Sequence, residues 1–308
     1  ATLMEAAEGN KRQQFGNRFL NKTDNVFQHN AWDNVEWDAE QEQLAKAAVE
    51  KNSSVKVSEP ESLNFEEKAD KFWDDFYDIH QNKFFKDRHW LFTEFPELAS
   101  NASAAEDDVS AYHNHPKQLL ELGCGVGNTI LPILKYSKEQ NIFIYGCDFS
   151  SRAIEILQGS VEYDPGKSKV FVMDISAKTW KAPFPETSID IIVMIFVLSA
   201  IHPDKMKYVI ENSYKYLKPG GLILLRDYGR YDMAQLRFKP GKCLQDNFYI
   251  RGDGTRVYFF TQHEIKELFE GAGFVEKQNL QDRRLQVNRG RMLKMYRVWI
   301  QAKYRKPK

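Results

Sequence analysis

A glycine-rich turn and three carboxylates placed at the ends of apolar runs are the residues of this chain best suited to chemistry. The turn lies in ELGCGVGN (121–128), with glycines at 123, 125 and 127. Glycine takes φ > 0 freely and lets a ligand approach the backbone, and a helix starting just after the turn presents unpaired N–H groups beside it. The spacing is G-x-G-x-G, whereas a dinucleotide fingerprint requires G-x-G-x-x-G. Asp148 ends the next apolar run, about twenty residues past the last glycine, where a carboxylate can accept both hydroxyls of a ribose. Asp174 ends a third run and can accept an adenine amino group while Ile175 lies on the ring. Each has a plainer alternative: Asp148 as a helix cap, Asp174 as a turn aspartate. Arg226, Asp227 and Tyr228 close another apolar run. Buried polar groups need partners, so this trio is either a site or a structural ion pair.

The elements that must hold these groups alternate. Strands are expected at 117–122, 141–150, 168–176, 189–198 and 222–229, with helices at 127–138, 151–158 and 203–217. A further helix opens at Thr261, where Glu264 completes a T-x-x-E capping box, and stops at Gly271–Gly273. Two last strands, about 274–280 and 292–303, have no helix between them and suggest an antiparallel edge hairpin. Repeated β-α units of this kind predict a parallel sheet covered on both faces, with ligands bound beyond the carboxyl ends of its strands. Upstream, 1–37 reads as an arm carrying aromatic anchors, and 38–52 as a helix. A linker at 53–62 precedes a second helix at 64–80, with an apolar stripe (Phe65, Ala69, Phe72, Phe76, Ile79) and a Trp73/Tyr77 pair at i, i+4. Segments 38–98 thus form a helical extension and lid, 99–116 a low-complexity flexible loop, and 117–308 the core, with 230–260 inserted.

Composition narrows the reading further. Lys plus Arg and Asp plus Glu both number 43, so net charge does not point to nucleic acid, but 277–308 is strongly basic. The three cysteines form no C-x-x-C pair, which indicates neither a zinc site nor a disulfide framework. The longest apolar run, 189–201, is too short to span a bilayer, so no membrane partner is expected. The strand-four end has no N-P-P-[FY] clamp for exocyclic amines, and no cysteine there could add to a pyrimidine ring.

The pattern E-x-G-x-G-x-G resembles motif I of class I S-adenosylmethionine (SAM) methyltransferases. More specific segments are FFKDRHW (84–90), CDFSSRAIE (147–155), IFVLSAIHPDKM (195–206), RDYGRYD (226–232), LRFKPG (236–241) and NFYIRGDGTRVYFF (247–260). Together they are similar to the eukaryotic methyltransferase-like enzymes that make 3-methylcytidine in the anticodon loop of tRNA. The resemblance covers about Phe65 to Phe274. It implies an α/β, Rossmann-like class I fold: a seven-stranded, mostly parallel sheet with helices on both faces and an N-terminal helical extension. It implies SAM as cofactor, S-adenosyl-L-homocysteine as product, and tRNA as partner. The arm at 13–37 resembles the longer branch of the family, associated with threonine- and arginine-type tRNAs.

Carried onto this sequence, the resemblance makes Trp73, Tyr77, Gly123, Asp148, Asp174, Ile175 and Ile195 cofactor contacts, and turns the Trp73/Tyr77 pair from core packing into a lid. Arg88, Gly125, Asn128, Phe149 and Ser150 complete the expected cofactor set, with Arg88 and Lys86 closing the site. Asp227 is the expected catalytic acid, reading the cytosine amino group, with Tyr228 or an aromatic of 84–95 stacking on the base and Arg226 beside them. Cations of 230–256 (Arg230, Arg237, Lys239, Lys242, Arg251, Arg256) and of the basic tail are expected on phosphates. A monomer acting in the cytoplasm is expected, with a mitochondrial location and a tRNA-selecting helper protein left open. The competing readings are a methyltransferase of a protein or small-molecule acceptor, and a catalytically silent tRNA-binding subunit with the same fold.

Overall fold

The structure is a computed structural model that describes residues 16–84, 88, 90–99, 115–136 and 141–308. Lys86, most of the 99–116 loop and the start of the arm lie outside the described residues. Chain order begins with β1 (Ala31–Asp33), α1 (Ala39–Ser53), α2 (Glu59–Glu67), α3 (Ala69–His80) and the single turn α4 (Leu91–Glu94). The core continues with β2 (Lys117–Leu122), α5 (Ile130–Tyr136), β3 (Ile142–Asp148), α6 (Ser151–Gln158), β4 (Ser168–Val172), β5 (Ile189–Ile195), α7 (Pro203–Tyr216) and β6 (Leu217–Tyr228). Then come α8 (Met233–Leu236), the short strands β7 (Cys243–Gln245), β8 (Phe248–Ile250) and β9 (Arg256–Tyr258), α9 (Gln262–Gly271), β10 (Val275–Asn288) and β11 (Leu293–Arg305).

The main sheet runs β1-β10-β11-β6-β5-β2-β3-β4. The five strands from β6 to β4 are parallel, and the β10–β11 hairpin adds antiparallel to β6. Eight strands rather than seven result because the arm contributes one: Trp32 pairs with Leu285, and the two are buried with Val35 and Val287. From β2 the chain moves outward through β3 to β4, then returns to β5 and β6 on the other side. This reversal makes the carboxyl ends of β2 and β5 the switch point, where open α/β sheets bind ligands.

Strand alternation sorts the core into two faces. Leu120, Leu122, Ile192, Met194, Ile223 and Leu225 pack against α7 and α9. Leu119, Ile191, Val193, Ile195 and Leu224 pack against α5, α6 and the segment holding Leu91, Phe95 and Leu98. Each such side chain contributes roughly 1.5–3 kcal/mol on burial, so covering both faces is what makes the parallel sheet stable.

Two details differ from the sequence reading. The helix expected at 64–80 is two helices, broken at Lys68 (φ −108°, ψ 18°), and α2 begins inside the expected linker. Pro60 lies in the first turn of α2, where its missing N–H costs no hydrogen bond. Ile79, assigned to the apolar stripe, is exposed. The capping box at Thr261 and Glu264 is formed.

The insertion builds a second sheet, β7-β8-β9. Helix α1 is fastened to it by buried Asn52, which donates to the Gln235 carbonyl and accepts from the Tyr249 hydroxyl, each at 2.8 Å. The N-terminal extension and the insertion therefore form one body beside the switch point.

Candidate active site

The chain leaves β2 through glycines 123, 125 and 127, at φ of 61°, 50° and 94°. These conformations exclude most side chains, and contact excludes them again. A Cβ on Gly125 would stand 2.5 Å from the Tyr77 hydroxyl, and one on Gly123 would collide with Val197. The turn is thus pressed between the lid helix α3 and the end of β5.

Asp148, at the end of β3, braces this turn. Its Oδ2 accepts from Gly125 N and its Oδ1 from Ser150 N, both at 2.9 Å. Burial pushes its carboxyl up to about 6, against the pull of those N–H groups. Asp174 follows β4, stays exposed, and accepts at Oδ1 from the Ser176 amide and hydroxyl. Ile175 beside it is buried.

Trp73, Tyr77, Arg88, Gly123, Gly125, Asn128, Asp148, Phe149, Asp174, Ile175 and Ile195 line one cleft. Trp73 and Tyr77 lie 5.9 Å apart between ring centres and close one side. Arg88 donates to Thr129 Oγ1 at 2.5 Å and faces Glu121 at 3.7 Å, behind the turn. Burial raises the Glu121 carboxyl to about 7, the cation opposing that rise, and Glu121 Oε2 has no hydrogen-bond partner among the described residues.

Ser150 is not among the lining residues. It is buried, its hydroxyl caps α6 by accepting from Ala153 N and donates to Asp74 at 2.5 Å. A serine opening a helix satisfies free N–H groups before it serves a ligand. Asp74 also accepts from Arg152 N, so it fixes the lid helix to α6. That role was missed because Asp74 sits on the polar side of the expected stripe. Phe196, Val197, Ala200 and Ile201 also line the cleft. The 195–206 segment had marked this region, but the φ of +57° that Phe196 adopts has no sequence signal.

The cleft fits SAM: a backbone turn that tolerates no side chain, a carboxylate for the ribose, an acid with an apolar neighbour for the adenine, and aromatic walls. A family model described as a methyltransferase domain matches residues 88–278. The tRNA N(3)-methylcytidine methyltransferase Mettl2 of Drosophila melanogaster is 60% identical to this chain over 292 residues, covering 95% of this chain and 88% of that protein. The chain belongs to the tRNA N(3)-cytidine methyltransferase family. The Danio rerio tRNA N(3)-cytidine methyltransferase METTL2 is 54% identical, with 98% and 91% covered. The Schizosaccharomyces pombe enzyme trm140 is 44% identical, with 96% and 92% covered. Among solved structures, the PH0226 protein of Pyrococcus horikoshii matches with a TM-score of 0.51 at 15% identity, covering 76% of this chain and 99% of that one, a likeness of fold. SAM is the cofactor of this fold and family.

The expected catalytic trio of this family member separates on inspection. Arg226 does not face the cleft: it is buried, donating to Gln301 and Asp282 at 2.6 Å each. Neighbours on a strand point to opposite faces, so Arg226 and Asp227 leave β6 on opposite sides. Asp227 is fully buried beneath the turn 198–200, accepting from Ser199 N at 2.9 Å and Tyr228 N at 2.8 Å. Its carboxyl, raised to about 6 by burial, braces the wall that carries Ala200 and feels the charge of Arg251. Tyr228 is half-buried at the rim, with Phe196 at 5.0 Å and the Arg251 guanidinium 5.6 Å from its ring.

The basic groups also divide. Arg230 pairs with Glu264, Arg256 with Glu66, Arg284 with Asp33 and Asp282, Arg297 with Asp232, and Lys303 with Glu97. Lys306 donates to two carbonyls. Exposed cations are Arg237, Lys239 and Lys242 on the insertion and Lys277, Arg289, Arg291, Lys294 and Lys308 of the basic tail. Arg237 and Lys294 line one groove together with Asp38, Glu40 and Tyr296.

Proposed function

We propose that this chain methylates ring nitrogen 3 of an unpaired cytidine in the anticodon loop of tRNA, with the base seated on a shelf made by Phe196, Tyr228 and Arg251. The observation that carries the reading is the 60% identity, spanning 95% of the chain, to a protein named for that product. When bound, SAM supplies a sulfonium methyl that the in-plane lone pair of cytosine nitrogen 3 can attack without prior loss of a proton. The protein's own task is then positioning and electrostatics. Gly123 and Gly125 would seat the methionine part, Asp148 the ribose, Asp174 and Ile175 the adenine, and Trp73 and Tyr77 would exclude water. The nitrogen 3 edge is covered in a duplex, so a looped-out base is the natural acceptor. Tyr228 and Phe196 offer it an aromatic face at the cleft rim.

The exposed cations of the insertion and hairpin are available for phosphates, and threonine- and arginine-type tRNAs are the expected acceptors. The test is to incubate the chain with labelled SAM and unmodified or native tRNA pools, digest the tRNA, and identify the labelled nucleoside by mass spectrometry. Label in 3-methylcytidine is the expected result. Label in a different nucleoside, or SAM binding without tRNA labelling, would overturn the assignment of the acceptor.

A further inference from the structure

Arg226 is a buried guanidinium held in a set geometry at the end of β6, next to the cleft but not in it. Its carbon lies 5.0 Å from the ring of Trp90 and 4.9 Å from that of Trp299, so the cation contacts two indoles. It donates to Gln301 Oε1 and Asp282 Oδ2, each at 2.6 Å. Gln301 in turn donates to Glu94 Oε2 at 2.8 Å. Trp90 and Glu94 belong to the segment that follows the lid residue Arg88; the other partners lie on β10 and β11. Gln301 stands opposite Arg226, and Trp299 opposite Tyr228, in the β6–β11 register. The cluster therefore ties the lid segment to one face of the sheet, two residues along the strand from Tyr228.

Buried ion clusters add little net stability compared with apolar packing of the same volume, and their best-attested use is to fix one arrangement. A planar guanidinium can stack on both faces and donate at its edges at once, which a lysine ammonium cannot. One contact of this cluster is Trp90, next to Leu91, which is buried against the sheet. Arg88 is two residues earlier, within about 7 Å of chain. It reaches Thr129 and Glu121 behind the glycine turn and forms part of the cleft wall.

We propose that Arg226 is a positioning residue for methyl transfer, clamping Trp90 so that Arg88 stands in the wall of the SAM cleft. This rests on the assignment of the cleft to SAM and not on the nature of the acceptor. The test is a double-mutant cycle read by calorimetric SAM binding to the full chain without tRNA, with thermal unfolding recorded for every variant. Arg226→Lys and Arg88→Met should each weaken SAM binding by about tenfold, and the double variant should be within about twofold of the weaker single, since coupled residues are not additive. Asp282 keeps Arg284 as partner in the Arg226 variants, at 3.2 Å, so no buried charge is left alone. Trp90→Leu, which leaves every hydrogen bond of Arg226 in place, should show the same non-additivity with Arg88→Met, and serves if the Arg226 variants unfold. Folded Arg226→Lys and Trp90→Leu proteins that bind SAM like wild type would overturn the proposal. So would losses that multiply in the double variants. Because tRNA is absent, a wrong acceptor leaves these outcomes unchanged.

Discussion

Acidifying the solution from about pH 7.5 to about pH 5 should weaken SAM binding about tenfold, with Asp148 setting where the loss begins. The carboxyl of Asp148 is buried and lifted to about 6, with Gly125 N and Ser150 N already donating to its two oxygens. Ribose hydroxyls donate best to the ionised form, so the binding-competent fraction is the ionised one. That fraction is nearly complete at about pH 7.5, about half at pH 6 and about a tenth at pH 5, and affinity falls in proportion. Stability should move the other way. A folded-state value raised from 3.8 to about 6 means the folded protein binds this proton more tightly than the unfolded chain. The contribution to stability is full below the unfolded value and is lost as pH rises through about 6, up to about 3 kcal/mol in all. Between about pH 7 and 5 the empty protein should therefore gain stability from this group while losing cofactor, which separates the effect from acid unfolding. Glu121, raised to about 7, titrates in the same window, and Glu121→Gln removes its part. Calorimetry at about pH 6 in buffers of different ionisation enthalpy should show release of about half a proton on binding. An affinity that stays flat across this range, or the same slope in Asp148→Asn, would refute the reasoning.

Gly125→Ala puts a Cβ 2.5 Å from the Tyr77 hydroxyl and an alanine at φ +50°, which alone costs about 1–2 kcal/mol. SAM affinity by calorimetry should fall at least about tenfold with tRNA affinity unchanged, and Tyr77→Phe should recover part of the loss. Asp227→Asn can accept only one of the two N–H donors from Ser199 and Tyr228, so urea denaturation should show about 1–3 kcal/mol lost. Turnover should fall with it, but an undiminished stability would mean that the carboxylate is not a brace. Tyr228→Phe should keep most activity, while Tyr228→Ala should lose about 1–3 kcal/mol of base stacking, seen in kcat/KM for tRNA and not in SAM affinity. Equal loss in both variants would point to the hydroxyl instead of the ring.

Much of the cofactor side was legible because SAM constrains residue type and spacing along single strand ends. Gly123, Asp148 and Asp174 each follow an apolar run, and the sheet brings those ends together whatever the loops do. What could not be read was which charged groups are already engaged. Arg256 meets Glu66 and Gln301 meets Glu94 across most of the chain, so no local pattern separates them from Lys242, which is exposed. The extra strand β1 was hidden for a related reason. Three residues carry no detectable period, and Trp32 looks like any aromatic anchor until Leu285 and Val287 are opposite it.

The trio at the end of β6 is a different case, because its division was already present in the sequence. Three consecutive polar residues on a strand cannot share one face. Ile223 and Leu225 pack on one face of the sheet and Leu224 on the other. Continuing that alternation sends Asp227 to the side of Ile223 and Leu225, and Arg226 together with Tyr228 to the side of Leu224. Alternation therefore sets Asp227 apart from Arg226 and Tyr228 along the strand. Alternation alone still could not divide Arg226 from Tyr228, which do share a face. Closure of the lid segment divides them: Trp90 covers the guanidinium and leaves the phenol at the rim. One residue is thereby given to holding the lid and the next on that face to the substrate side. It follows that Arg226 variants should act on SAM affinity and Tyr228 variants on tRNA. That split is open to measurement.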